Sequence, residues 1–285
     1  MRQSPHRKPD PWSNIMSAGP TSSVAQRNGH AASADELSPL AFAGYAHFTA
    51  MQVRAGKVRG LDLHLARLRS ASIAMFGKAL PDEQLRAHLR AALATSPADR
   101  SLMATVYSPA GEFTVAGPDV GLDMLVSTGP ASSGPNGPLA LLTVEHERTL
   151  PTVKHVGEVA KTYYLRQAVA KGFDDAAFVD RRGRLSEASI WNLAFWDGDA
   201  VVWPEAEMLT GTTMGILQRQ LARLGVVQRT QEIRPANLAS LAGVVMNSWT
   251  PGIAVNRIDA TPLRDPSALL GLLHRAYEAE PLLSP

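Results

Sequence analysis

A mixed α+β chain in two domains is the fold class this sequence predicts, and three observations lead there. Short stretches of alternating apolar and polar residues, the mark of half-buried strands, recur along the 285 residues. Stretches with helical periodicity lie between them, so strands and helices are interspersed. The segment TGPASSGPNGP, residues 128–138, interrupts both patterns with glycine, proline and serine and reads as a linker. The expected division is a disordered leader over 1–27, an N-terminal α/β domain over 28–127, the linker over 128–138, and a C-terminal α/β domain over 139–285.

Residues 1–27 are rich in proline, serine, arginine and glutamine and have no apolar periodicity, which predicts disorder. No apolar core follows their charges, so they do not read as a secretory signal, and both Met1 and Met16 stand as candidate starts. Asn28-Gly29 marks a tight turn. Residues 45–53 alternate as a strand, and the turn at 54–57 sends the chain back. Leu61, Leu65, Leu68 and Met75 share one helical face, with Gly77 as the stop; a second helix is expected over about 81–94. SLMATVYS (101–108) and EFTVAG (112–117) read as strands joined by Pro109-Ala110-Gly111. Beyond the linker, LALLTVE (139–145) is a strand leading to Lys154, and 157–171 a helix ended by Gly172. DAAFVD, RLSEAS, NLAFW and AVVWP are four short strands, the last two joined by an Asp197-Gly198 hairpin turn. A helix over 214–224, strands at GVVMNSW and IAVNRID, and a helix over 267–280 complete the chain.

Composition narrows the function classes. Hydrophobic residues at 45% and charged residues at 19% are ordinary for a globular protein. A net charge of +2 does not build a nucleic-acid surface, and Arg181-Arg182-Gly183-Arg184 reads as a solvated hairpin turn, so no nucleic-acid partner is expected. The absence of cysteine excludes disulfides, thiolate metal sites and cysteine nucleophiles, and no metal site is expected. No apolar run approaches the ~20 residues of a membrane helix. A cytoplasmic enzyme is the expectation.

Candidate chemistry gathers at a few positions. Lys154 is either a solvent-facing lysine at a strand end or an amine held for covalent catalysis. Glu187, between Ser186 and Ala188 in a strand, is either an outward edge residue or a buried carboxylate with a cationic partner. Gly211-Thr212-Thr213 opens a helix, where free N–H groups, two hydroxyls and the helix dipole suit a phosphate; a plain N-cap is the other reading. Arg67 lies beside the apolar face of its helix and reads as an anion anchor or as a surface arginine.

Taken together, these residues resemble the class IV aminotransferase family. It comprises branched-chain aminotransferases, D-amino-acid aminotransferases and aminodeoxychorismate lyases, all of which use pyridoxal 5'-phosphate (PLP). The motifs are His64-Leu-Ala-Arg67-Leu68, Lys154, Ser186-Glu187 with Asn192 five residues on, and Gly211-Thr212-Thr213, in the family's order and from Asn28 onward. The resemblance implies the D-amino-acid-aminotransferase-like PLP fold type IV, a cofactor between two domains, and a homodimer. It implies that Lys154 bonds to PLP and serves as base. Glu187 would meet the pyridine nitrogen, and Arg67 and Thr213 the phosphate, with Ser248 as a second phosphate contact and Asn192 and Thr212 as further cofactor-binding residues. Tyr45, Tyr107 and Trp249 are candidate substrate walls, and Thr49 is either a proton-moving hydroxyl or a strand threonine.

The subfamily signals divide. Branched-chain enzymes carry a tyrosine five residues after the lysine, where this chain has Val159, and Phe-Glu where it has Phe48-Thr49. Phe48-Thr49, Lys154-His155 and Asn247 resemble the lyases, whereas Gly157 and Ser108-Pro109 depart from them. The expected activity is transfer of an amino group from an amino acid or related amine to a 2-oxo acid. The alternatives are an aminodeoxychorismate lyase releasing 4-aminobenzoate and pyruvate, and a PLP-binding homologue without catalysis.

Overall fold

The computed structural model describes residues 23–41, 44–113 and 120–285. Most of the expected leader, and most of the expected strand at 112–117, lie outside the described residues.

The first sheet opens with β1 (Ala25–Arg27) and β2 (His30–Ala31), so the last residues assigned to the leader are in fact a strand. Asn28 and Gly29 join them with φ of 49° and 87°, the left-handed pair that a two-residue hairpin turn requires. Helix α1 (Ala34–Ala41) follows, then β3 (Ala46–Arg54) and β4 (Lys57–Arg59), connected through Ala55-Gly56. Helix α2 (Leu61–Phe76) ends at Gly77 in the left-handed region, whose N–H reaches back to the Ile73 carbonyl. Helix α3 (Asp82–Ala94), β5 (Arg100–Tyr107) and β6 (Asp123–Gly129) complete this half, with strand order β4-β3-β5-β6-β1-β2. Leu61, Leu65 and Leu68 of α2 pack with Leu85 and Leu89 of α3 over Met51, Leu102, Val106, Met124 and Val126. Glu112 and Phe113 form a turn, not a strand, and Phe113 is exposed. The strand that returns beside β5 is β6, which runs on through Thr128 and Gly129, so irregular chain begins at Pro130.

The second sheet starts with β7 (Leu139–Glu145). Lys154 does not follow a strand directly. It lies in an extended stretch after a turn, and this stretch pairs with β3 of the first sheet: the Phe48 N–H donates to the Lys154 carbonyl and the Val156 N–H to the Ala46 carbonyl, both at 2.9 Å. Helix α4 (Val159–Ala170) begins two residues later than the sequence suggests. Then come β8 (Asp175–Val179), β9 (Leu185–Ala188), β10 (Asn192–Trp196) and β11 (Val201–Pro204). Helix α5 (Thr212–Arg223) is followed by β12 (Gln228–Gln231), a 3-10 turn over Pro235–Ser240, β13 (Ala242–Asn247), β14 (Thr250–Ile258), β15 (Thr261–Pro262) and α6 (Ser267–Glu278).

The strand order is β12-β11-β10-β13-β14-β7-β8-β9, and β9 returns to β10 at Glu187↔Asn192, closing six strands into a ring. Leu139, Leu141, Trp191, Leu193, Phe195, Val245 and Val255 fill it. Their alternates Ala194, Val244 and Met246 face outward against Met214, Leu217 and Leu221 of α5 and Leu269 and Leu273 of α6. A final strand, β16 (Leu282–Leu283), goes back to the first sheet and pairs antiparallel with β4. There Arg59 donates to the Glu280 carbonyl, and Arg219 of α5 joins Asp62 of α2 to Glu280.

Candidate active site

Where β3 and α2 of the first half meet the ring of the second, a cavity is lined by Arg67, Lys154, Lys161, Glu187, Asn192, Gly211, Thr212, Thr213 and Ser248, with Phe48, Ala50, Ile190, Trp191 and Trp249 as its apolar walls.

The chain places each polar group by a local device. Pairing with β3 holds Lys154 in extended backbone, so that its Nζ lies 4.9 Å from the centroid of the Phe48 ring. The amine opens onto the cavity but is enclosed by protein. Burial first, then the charges of Lys161, Arg67 and Arg148, lower its pKa from 10.5 to about 7. Glu187 stands on β9, 3% exposed. Burial raises its pKa, while Lys161, Arg148 and Lys154 act in the opposite direction. Arg148 Nη1 lies 3.5 Å from one Glu187 oxygen and Lys161 Nζ 3.9 Å from the other. Arg148 is itself held by the Val153 carbonyl at 2.8 Å and by Glu158, whose other oxygen meets His155 Nε2 at 2.8 Å.

At the other end of the cavity, the N-terminus of α5 has Gly211 as its cap, and among the described residues no side chain caps its first N–H groups. Thr213 Oγ1 donates to the Asn247 carbonyl at 2.8 Å, while the buried Thr212 Oγ1 has no hydrogen-bond partner among the described residues. Arg67 donates to the Thr210 carbonyl at 2.8 Å. Among the described residues it has no ion-pair partner, and burial with the charge of Arg148 lowers its pKa to about 10. Asn192 ties the turn down, its Nδ2 donating to the Leu209 carbonyl at 2.6 Å. A Cβ on Gly211 would collide with Asn192 Oδ1. We therefore expect Gly211→Ala to displace Asn192 and cost about 1–3 kcal/mol of stability. A melting curve with and without PLP checks this, and an unchanged melt with unchanged PLP affinity would contradict it.

The structure thus brings together Lys154, Glu187, Arg67, Asn192, Thr212, Thr213, Ser248 and Trp249. The other three substrate candidates are not among the residues that line this cavity. Strand parity explains Thr49: Phe48 and Ala50 face the cavity, so Thr49 points the other way and its hydroxyl lies 2.6 Å from His64 Nδ1. Tyr45 donates its hydroxyl to the Met75 carbonyl at 2.7 Å and packs edge-on against Phe76. Tyr107 is buried within the first sheet. Sequence reasoning missed Arg148, Lys161 and Glu158. For Lys161 one signal was available: a lysine in the first turn of a helix opposes the helix dipole.

Solved structures share this architecture. A branched-chain amino acid aminotransferase from Escherichia coli matches with TM-score 0.78 and 14% identity, over 90% of this chain and 94% of that one. A branched-chain amino acid aminotransferase from T.th., solved with pyridoxamine 5'-phosphate, matches with TM-score 0.76 and 19% identity over 90% and 93%. A Legionella pneumophila protein provisionally assigned as a 4-amino-4-deoxychorismate lyase matches with TM-score 0.71 and 18% identity over 82% and 91%. The fold is that of the fold type IV PLP enzymes. No curated protein matches the chain in sequence. The amino-transferase class IV family model matches residues 46–258, and the chain belongs to that family of PLP-dependent transaminases and lyases.

Proposed function

We propose that this chain is a PLP-dependent aminotransferase that moves an amino group between an amino acid or related amine and a 2-oxo acid. The observation that carries the reading is one cavity with an amine of lowered pKa at Lys154, a buried carboxylate at Glu187, and an unsatisfied anion cradle at Arg67 and the start of α5. The residues fit the cofactor. Among the described residues Thr212 Oγ1 lacks a partner and Arg67 has no carboxylate, and the basic groups Arg67, Lys154 and Lys161 outnumber Glu187 in the lining, which favours an anionic ligand.

PLP bound there supplies an electron sink that acidifies the α-hydrogen of an attached amine. Arg67, Ser248, the Thr212 hydroxyl and the backbone N–H groups of Thr212 and Thr213 at the start of α5 would hold the phosphate, with Asn192 fixing the turn that presents them. Glu187 would provide negative charge for a ring N–H. Lys154 would bear the cofactor, and its neutral amine would carry the substrate's α-proton. Phe48, Trp191 and Trp249 wall the reacting centre from water. A cytoplasmic homodimer belongs to the same reading, and exposed Val159 and Tyr163 on α4 offer apolar surface for a second copy.

The Thr49 hydroxyl, 2.6 Å from His64 Nδ1 and turned from the cavity, supports this reading over the lyase. The test is to incubate the PLP-loaded protein with amino donors plus 2-oxo acids and, separately, with aminodeoxychorismate. We expect amino transfer that depends on the oxo acid. Formation of 4-aminobenzoate without an oxo acid would replace this reading with the lyase, and bound PLP that reacts with no amine would replace it with a binding protein.

A further inference from the structure

Helix α4 buries two of its residues, Ala168 and Lys161. Burying Lys161 is costly twice over, because the ammonium loses its water and sits at the positive end of the helix dipole. Nothing in the mechanism above requires it. Yet Lys161 lines the same cavity as Lys154 and lies 3.9 Å from Glu187 Oε2, while Arg148 already holds the other oxygen of that carboxylate at 3.5 Å. Glu158, the next acid along, is shared between Arg148 and His155. Two cations therefore converge on one carboxylate, and the surplus positive charge lies beside Lys154.

We propose that Lys161 is a positioning residue of the active site, docked on Glu187 so that its charge holds Glu187 ionised and the Lys154 amine neutral. The proposal rests on the reading of Lys154 as the cofactor-bearing lysine. Around Lys154 the charged groups are Lys161 from α4, Arg67 from α2, Arg148 from the loop after β7, and Glu187 from β9; Lys161 also feels Glu158 and Asp175. Among the charges acting on Lys154, that of Lys161 is the largest. The carboxylates hold Lys161 in place, and Lys161 in turn disfavours a proton on Lys154. Arg67, the next cation, remains free to face an anion.

The test uses the full chain without PLP, so it does not depend on turnover. The pH dependence of amine acylation at Lys154 is followed by peptide-resolved mass spectrometry in the parent, Lys161→Met and Lys161→Arg. In the parent the half-point is expected near pH 7. In Lys161→Met it moves up by about one unit, which slows labelling at pH 6 about tenfold, and Lys161→Arg restores it. If Lys161→Met does not fold, Lys161→Gln carries the same comparison. A half-point unmoved by loss of the Lys161 charge overturns the proposal. A shifted half-point in a protein that shows no aminotransferase activity would leave the positioning role standing and sink the proposed function instead.

Discussion

Lys154→Ala is expected to abolish covalent capture of PLP and to lower turnover by about 10⁴-fold or more, since it removes both the amine that bonds to the cofactor and the proton carrier. Borohydride reduction of the PLP-loaded parent should leave a pyridoxyl group on Lys154, and the variant none. Capture in the parent should rise with pH through about 7, because below that value the amine is protonated and cannot attack. The loss should come without unfolding. A lysine whose pKa falls from 10.5 to about 7 on folding lowers stability at every pH below the unfolded value, and more so as pH falls toward 7. Removing it relieves that cost and one of four neighbouring positive charges, so the variant should melt no lower than the parent at neutral pH. A pyridoxyl adduct on a different lysine in the variant would remove Lys154 from the mechanism.

Glu187→Ala should damage the fold as well as the chemistry. The carboxylate is the shared counter-ion of Arg148 and Lys161, both nearly inaccessible to solvent. Deleting it takes the nearest carboxylate from two buried cations, and removing one partner of a buried pair costs about 3 kcal/mol. Urea denaturation measures this, and adding Lys161→Met to Glu187→Ala should recover part of the loss, because the stranded cation goes as well. A single variant within about 0.5 kcal/mol of the parent would mean that Glu187 is not the keystone of this network.

Much of this site could be read from the chain because its parts are local. Gly77 stops α2 where the leucine period ends, and Asp197-Gly198 turns β10 into β11, so these elements needed no tertiary information. Arg67, Lys154, Glu187 and Gly211-Thr212-Thr213 each sit in a short motif whose order survives, and they meet in one cavity. What stayed hidden depends on partners far along the chain. Arg148 reaches Glu187 across 39 positions, and nothing near either residue announces the pair. Strand β1 is three residues long and joins the sheet by pairing with distant β6, so in sequence it reads like the leader before it. Thr49 shows a further limit. Alternation along β3 marks two faces, buried Thr49 and Met51 on one and half-buried Phe48 and Ala50 on the other, but does not say which of them lines the cavity.

The return of β16 to β4 gives the order of synthesis a structural meaning. Arg59 meets Glu280 across 221 positions, so the outer border of the first sheet stays unpaired while nearly all the intervening polypeptide leaves the ribosome. During that interval β4 presents open backbone donors and acceptors to any neighbouring nascent chain. Its brevity, three residues with Lys57 and Arg59 at the ends, is itself a defence: it offers too little template, and too much like charge, for two unfinished copies to zip together before residues 282–283 emerge.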